Sequence, residues 1–148
     1  MKKNRILMMI LLGSIPFIVS SVKAQTQELR VKVSGIRSAK GKIILNVFKD
    51  EAGYEKQQPF TTLNFDKKAL KNGVLNVNGS VATGTYGITL IDDENANGKL
   101  EKNFVGIPKE GFGFSNFFMT KMIKPTFNEF KFEIKPGSTE IEIKAKYM

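Results

Sequence analysis

"KIILNVFK", residues Lys42–Lys49, is apolar on both faces of an extended chain. Side chains alternate across a strand, so Ile43, Leu45 and Val47 point one way, and Ile44 and Phe48 the other. A run of this kind predicts a central strand covered by protein on both sides. Outward from it the period stays at two. In "ELRVKVSGI" Leu29, Val31 and Val33 share a face, with Arg30 and Lys32 opposite. "VLNVN" near Val74 and "GTYGITLI" near Tyr86 are further strands, the latter with Tyr86, Ile88 and Leu90 on one side. "NEFKFEI" is expected to turn Phe130, Phe132 and Ile134 inward. "TEIEIKAKY" is expected to turn Ile141, Ile143, Ala145 and Tyr147 inward.

The turns follow from the same reading. Pro136-Gly137-Ser138 stands at hairpin distance between the last two runs, and Gly35–Gly41 separates the first two. The one helical turn expected is "DKKALKNG", capped by Asp66 and ended by Gly73. About seven strands with turn signals between them predict an all-β fold, an antiparallel β-sandwich, with a closed barrel as the alternative. The segment from Asp92 to Pro125 is a long irregular excursion, and loops of that length tend to be functional or specially stabilised.

The first residues stand apart. Lys2, Lys3 and Arg5 precede an apolar stretch from Ile6 to Val19, and Val22-Lys23-Ala24 ends on a small residue. This is the pattern of a signal peptide covering residues 1–24, with cleavage after Ala24. A membrane-spanning helix needs about 20 apolar residues, and Gly13, Ser14, Pro16, Ser20 and Ser21 interrupt this run. The expected product is residues 25–148, a single domain that does not span the membrane and is exported to the periplasm or the outside. A chain of that length buries about two-thirds of its unfolded surface. Without cysteine it has neither a disulfide staple nor a thiol for a lipid anchor.

The formal charge of +9 falls to +5 when four basic residues and no acid leave with the leader. The remaining lysines alternate with glutamates, as in Lys131, Glu133, Glu140, Glu142, Lys144 and Lys146. That is a solvated sheet face rather than a phosphate-binding stripe, and it argues against nucleic acid. With no histidine and no cysteine, there is no Ser-His pair, no His-ligated metal and no thiolate nucleophile. The chain is therefore expected not to be an enzyme. The catalytic alternative is a carboxylate pair acting on glycans, such as Asp93 and Glu110.

The excursion has two halves. In Asp93-Glu94-Asn95-Ala96-Asn97-Gly98-Lys99-Leu100-Glu101, oxygen-bearing side chains alternate and a glycine follows the third. That is the first half of a calcium loop, with Asp93, Asn95, Asn97, the Lys99 carbonyl and Glu101 as candidate ligands. The position for a closing bidentate acid holds Phe104. The competing reading is a self-bonded turn, because Asp and Asn bond their own backbone two residues on and Asn-Gly favours turns. In the second half, "GIPKEGFGFSNFF", Phe112 and Phe114 are expected on opposite sides of an extended segment, and Asn116 in a turn. They are candidates either for contacting a partner, an envelope protein or a glycan, or for anchoring the loop to the sheets.

These residues carry a resemblance. The run from Asp93 through Asn97-Gly98-Lys99-Leu100, Asn103-Phe104, Gly106-Ile107-Pro108 and Glu110-Gly111-Phe112-Gly113-Phe114-Ser115-Asn116 resembles the bacterial secreted family Domain of Unknown Function 2141. So do "VSGIRSAKGKIILNVF", "GTYGITLIDDEN" and "KPTFNEFKFEI". The resemblance implies an immunoglobulin- or transthyretin-like β-sandwich and no established activity. Members often carry Asp where Glu101 stands, and His where Asp92 stands; the latter departure removes histidine chemistry and adds an oxygen beside the loop. The functional expectation is a non-catalytic binding or accessory module of the cell envelope, its loop either a weak calcium site or a self-bonded turn, against a purely structural or assembly role with no ion site.

Overall fold

The computed structural model describes residues 25–148, so the expected leader, residues 1–24, lies outside the described residues. Among the described residues there are eight strands: β1 Thr26–Ser34, β2 Lys42–Phe48, β3 Thr61–Asp66, β4 Leu75–Ala82, β5 Gly84–Asp93, β6 Gly111–Phe114, β7 Phe132–Ile134 and β8 Ser138–Lys144. Two short helices join them, α1 Glu51–Glu55 and α2 Phe127–Phe130. One sheet has the order β4-β1-β8. The other has the order β3-β2-β5-β6, with β7 paired to the first residues of β5. Among the described residues no helix is long and apolar enough to cross a membrane.

The chain is all-β, as its period-two patterning predicts, but not wholly antiparallel. β1 and β8 run parallel, with Leu29 opposite Thr139 and Val33 opposite Ile143. Alternation fixes which face a residue takes and is silent on strand direction. The expected hairpin at Pro136-Gly137-Ser138 is likewise corrected: β7 lies in the larger sheet and β8 in the smaller, so this turn carries the chain from one to the other. The core explains the crossing. Leu29, Val31 and Val33 of β1 and Ile141 and Ile143 of β8 meet Ile43, Leu45 and Val47 of β2 and Tyr86, Ile88 and Leu90 of β5 in one buried cluster. Each strand supplies only one apolar face to it, so the chain passes between the two sheets after β1, β3, β4 and β7 to close it.

Two local expectations fail for identifiable reasons. "DKKALKNG" is not a helix. Asp66 ends β3 and its carboxylate accepts from Lys68 N–H at 2.9 Å. Asn72 and Gly73 both take positive φ, in a two-residue turn closed by Lys71 and Val74. Asn-Gly is the preferred pair for that geometry, and it outweighs helix propensity. "NEFKFEI" begins as α2 and not as a strand, because Thr126 and Glu129 form a capping box, the Thr126 N–H donating to Glu129 Oε2 at 2.7 Å. Phe130 therefore joins a second cluster outside the larger sheet, while Ile134 alone of its expected trio is fully buried in the main core. α1, unforeseen, is capped by Asp50, which accepts from Gly53 N–H at 2.8 Å.

β6 corrects the reading of the excursion as wholly irregular. In "GFGF" the two glycines face β8 and the two phenylalanines face outward. A Cβ on Gly113 would stand 2.8 Å from Ile143 Cγ2, and one on Gly111 would stand 2.5 Å from Tyr147 Cε1. The glycines thus let β6 approach the end of β8 and the residues that follow it until backbones bond at Lys146. Phe112 N–H donates to Lys146 O at 3.0 Å, and Lys146 N–H to Phe112 O at 2.8 Å. The two sheets are stitched at this seam. Phe112 and Phe114 lie on the same side, not on opposite sides, because residues two apart in a strand share its face.

Candidate functional site

β5 ends in two buried carboxylates, Asp92 and Asp93, each without solvent exposure. Asp92 pairs with the buried ammonium of Lys67 and accepts from the Tyr147 hydroxyl. Lys67 also donates to Ser38 O at 3.2 Å and Lys40 O at 2.6 Å. Burial, with the Asp92 bond next, raises the Tyr147 hydroxyl pKa. Arg37 lies 4.3 Å over the Tyr147 ring and holds Glu94 with two bonds, at 3.1 and 2.6 Å. This polar clamp ties the β1–β2 connection, the end of β3, the end of β5 and the C-terminal Tyr147 together. A buried charge is stable only when paired and hydrogen-bonded, and these charges are both.

Glu94 gives the clamp a measurable pH signature. The Arg37 bond, with Ser38 assisting, lowers its pKa from 4.5 to about 2 against the raising effect of burial. A depressed carboxyl contributes stability above its unfolded pKa and loses it as pH falls toward the folded value. With Arg37 half-exposed and screened, the contribution is about 1–2 kcal/mol. Denaturant melts at pH 6 and pH 2.5 are expected to show that much more acid loss in the native chain than in Glu94→Gln. Equal losses would show that the pair contributes nothing.

The candidate calcium residues close on one another. Asp93 Oδ1 accepts from Asn97 N–H at 3.0 Å and Oδ2 from Gly98 N–H at 2.8 Å. Asn95 Oδ1 accepts from Asn97 N–H at 2.9 Å, and Asn97 Oδ1 from Lys99 N–H at 2.8 Å. Glu101 accepts from the Asn97 amide at 3.0 Å. Among the described residues no three acids stand together in metal-binding geometry. Glu110 is buried, and one of its oxygens accepts from Glu101 N–H at 3.3 Å while the other has no hydrogen-bond partner among the described residues. Burial raises its pKa. With Ser38, Lys40, Glu94, Asn95, Glu101 and Lys109 it lines a small polar cleft.

The second half of the excursion builds something else. Asn103 Oδ1 accepts from Val105 N–H at 3.0 Å and Ile107 N–H at 2.9 Å, folding residues 102–108 into a tip that projects Phe104 into solvent. This tip walls a cavity of about 550 Å³ on the outer face of the larger sheet. Its floor is Asn46 and Phe48 of β2, Thr89 and Ile91 of β5, and Phe112 and Phe114 of β6. Met119, Met122 and Lys124 form the far side. Tyr54 of α1 stacks edge-on against Phe48 at 5.6 Å and against Phe130 of α2 at 4.9 Å, and its hydroxyl donates to Pro125 O at 3.0 Å. The volume and the mostly apolar lining with few polar groups match what small-molecule sites need.

Of the residues singled out in the sequence, Phe112 and Phe114 reach this cavity. Asn116 does not: at positive φ it bonds Glu142 through backbone and side chain, at 2.8 and 3.1 Å, and holds the seam. The doubly apolar face of "KIILNVFK" was the signal for this outer layer. The Asp50 cap and the Thr126–Glu129 box were the signals for the helices that frame it.

The model of the bacterial family described as "Uncharacterized protein conserved in bacteria (DUF2141)" matches residues 31–142. No curated protein matches, and no solved structure does.

Proposed function

The chain belongs to that bacterial family, and on this premise we propose that it is an exported, non-catalytic binding module of the cell envelope. It is read as a β-sandwich whose Asp92–Asn116 excursion walls a ligand site. The cavity floored by Phe48, Phe112 and Phe114 carries this reading, since a sheet face that is only a wall would be packed flat rather than left with about 550 Å³ open. The carboxylates considered for glycan cleavage give no support to catalysis. Asp93 is spent on loop N–H groups, and Glu110 lines the polar cleft rather than the cavity. The oxygen-rich half is read as a brace that fixes where the tip stands, because its oxygens already hold its own backbone.

A neutral solvatochromic dye, Nile red, is expected to bind the protein. Thr89→Phe, which fills the cavity floor from a half-buried strand position, is expected to weaken that binding at least about tenfold while the fold melts cooperatively. Unchanged dye binding in that variant would remove the cavity as the site. Repeated in about 1 mM calcium, the thermal melt is expected not to move. An upward shift abolished by Asp93→Ala would assign a cation to the loop and overturn the brace.

A further inference from the structure

The geometry points to a free anionic amphiphile, a single acyl chain ending in a carboxylate, as the occupant of the cavity, with its head held between Lys102 and Lys124. This rests on the binding reading above and adds the ligand's chemical class.

The first observation is how charge is sorted along the excursion. From Lys99 to Lys124 the chain has five lysines and two acids, Glu101 and Glu110. Both acids line the polar cleft beside Ser38 and Glu94. The cavity lining contains Lys102 and Lys124 and no aspartate or glutamate. The excursion thus keeps both carboxylates, with Lys109, at the cleft and places Lys102 and Lys124 without an acid in the cavity lining. Lys124 lines the cavity with its ammonium 4.1 Å over the Tyr54 ring, and among the described residues its carboxylate partner is the exposed Glu55 at 3.2 Å. An exposed pair of that kind is worth little and yields readily to another anion.

The second observation is the apolar surface. Phe48, Tyr54, Phe112 and Phe114 give the cavity fixed aromatic walls, while Leu100, Ile107 and Met119 give it adaptable ones. Methionine is flexible enough to follow an unbranched chain through its rotamers. The polar groups within, Asn46, Thr89 and Gln57, are too few to satisfy a sugar's hydroxyls. Apolar surface continues past the mouth on both lips: Val105 is 60% and Met122 61% exposed, and next to them Phe104 is 100% and Ile123 70% exposed. An apolar body with one negative end matches walls, lips and lysines together.

The test uses three probes of equal chain length below their micelle concentrations: dodecanoate, dodecyl maltoside and dodecyltrimethylammonium. Each is titrated calorimetrically and by displacement of Nile red, with co-sedimentation on phosphatidylglycerol vesicles alongside. Dodecanoate is expected to bind best, and the Lys102→Gln/Lys124→Gln double variant to weaken it about tenfold, an effect that added salt reproduces. Both lysines are exposed, so the variant keeps its melting temperature. If all three probes bind alike and the double variant changes nothing, the anion assignment falls while the cavity reading stands. If neither the dye nor any probe binds, both fall. Sedimentation with vesicles without dodecanoate binding overturns the proposal in favour of a bilayer-docking face.

Discussion

Asp92→Ala is expected to cost about 3–5 kcal/mol, because it strands the Lys67 ammonium in the interior without its carboxylate. Lys67 is 3% exposed and its other acceptors are the carbonyls of Ser38 and Lys40, which carry no net charge to answer it. Tyr147 loses its acceptor at the same time. A domain of this size has a total stability of about 5–15 kcal/mol, so the loss is a large share of it. Urea melts are the measurement. Asp92→Asn/Lys67→Met removes both charges at near-constant volume and is expected to recover more than half of the loss. Replacing a buried pair by apolar groups is frequently neutral, whereas breaking it is not. A loss below about 1 kcal/mol in Asp92→Ala would mean that the pair is wet, and the clamp would then not be what fixes the base of the excursion.

Gly41→Ala is expected to be of comparable size, about 3–5 kcal/mol, from two independent sources. Gly41 has φ +71, a left-handed conformation that a side chain disfavours. The added Cβ would also stand 1.9 Å from Asp93 O and 2.7 Å from Glu94 C, both backbone atoms. A flexible side chain could swing away, but these atoms belong to the point where β5 becomes the acidic turn. Gly98→Ala is the control. It shares the positive φ, at +81, but nothing lies within 4 Å of its Cβ position, so it carries only the backbone penalty of about 1–2 kcal/mol. Thermal melts of the pair separate the contact from the conformation. Equal destabilisation would show that the backbone at Asp93 gives way to a side chain at residue 41 without cost.

Much of this architecture was legible in residue patterns, and the failures share a cause. Leu29, Val31 and Val33, or Ile43, Leu45 and Val47, find the core because a strand at a water–protein boundary must sort its side chains by face. Asn97-Gly98 reads as a turn because the preference is built into those residues. The cavity was half legible: Phe112 and Phe114 stood out, and the second apolar face of β2 announced a cover. What that cover was made of, two short helices and a loop tip, depended on contacts such as Glu51 Oε2 accepting from Phe127 N–H at 3.0 Å. Those residues are far apart in sequence.

By itself, then, the sequence determined the strand character of β1, β2, β4, β5 and β8, the faces they bury, the turn at Asn97-Gly98 and the kinship carried by the excursion. Only the tertiary structure decided that β1 and β8 run parallel, that β7 and β8 belong to different sheets, that Asp92 is answered by Lys67, and that the outer aromatic face leaves a cavity whose lining includes Lys102 and Lys124. The division is physical. Burial face, cap and turn are set by a residue and its near neighbours, whereas strand partner, ion pair and cavity are set by which distant surfaces must close together to shut water out of one core.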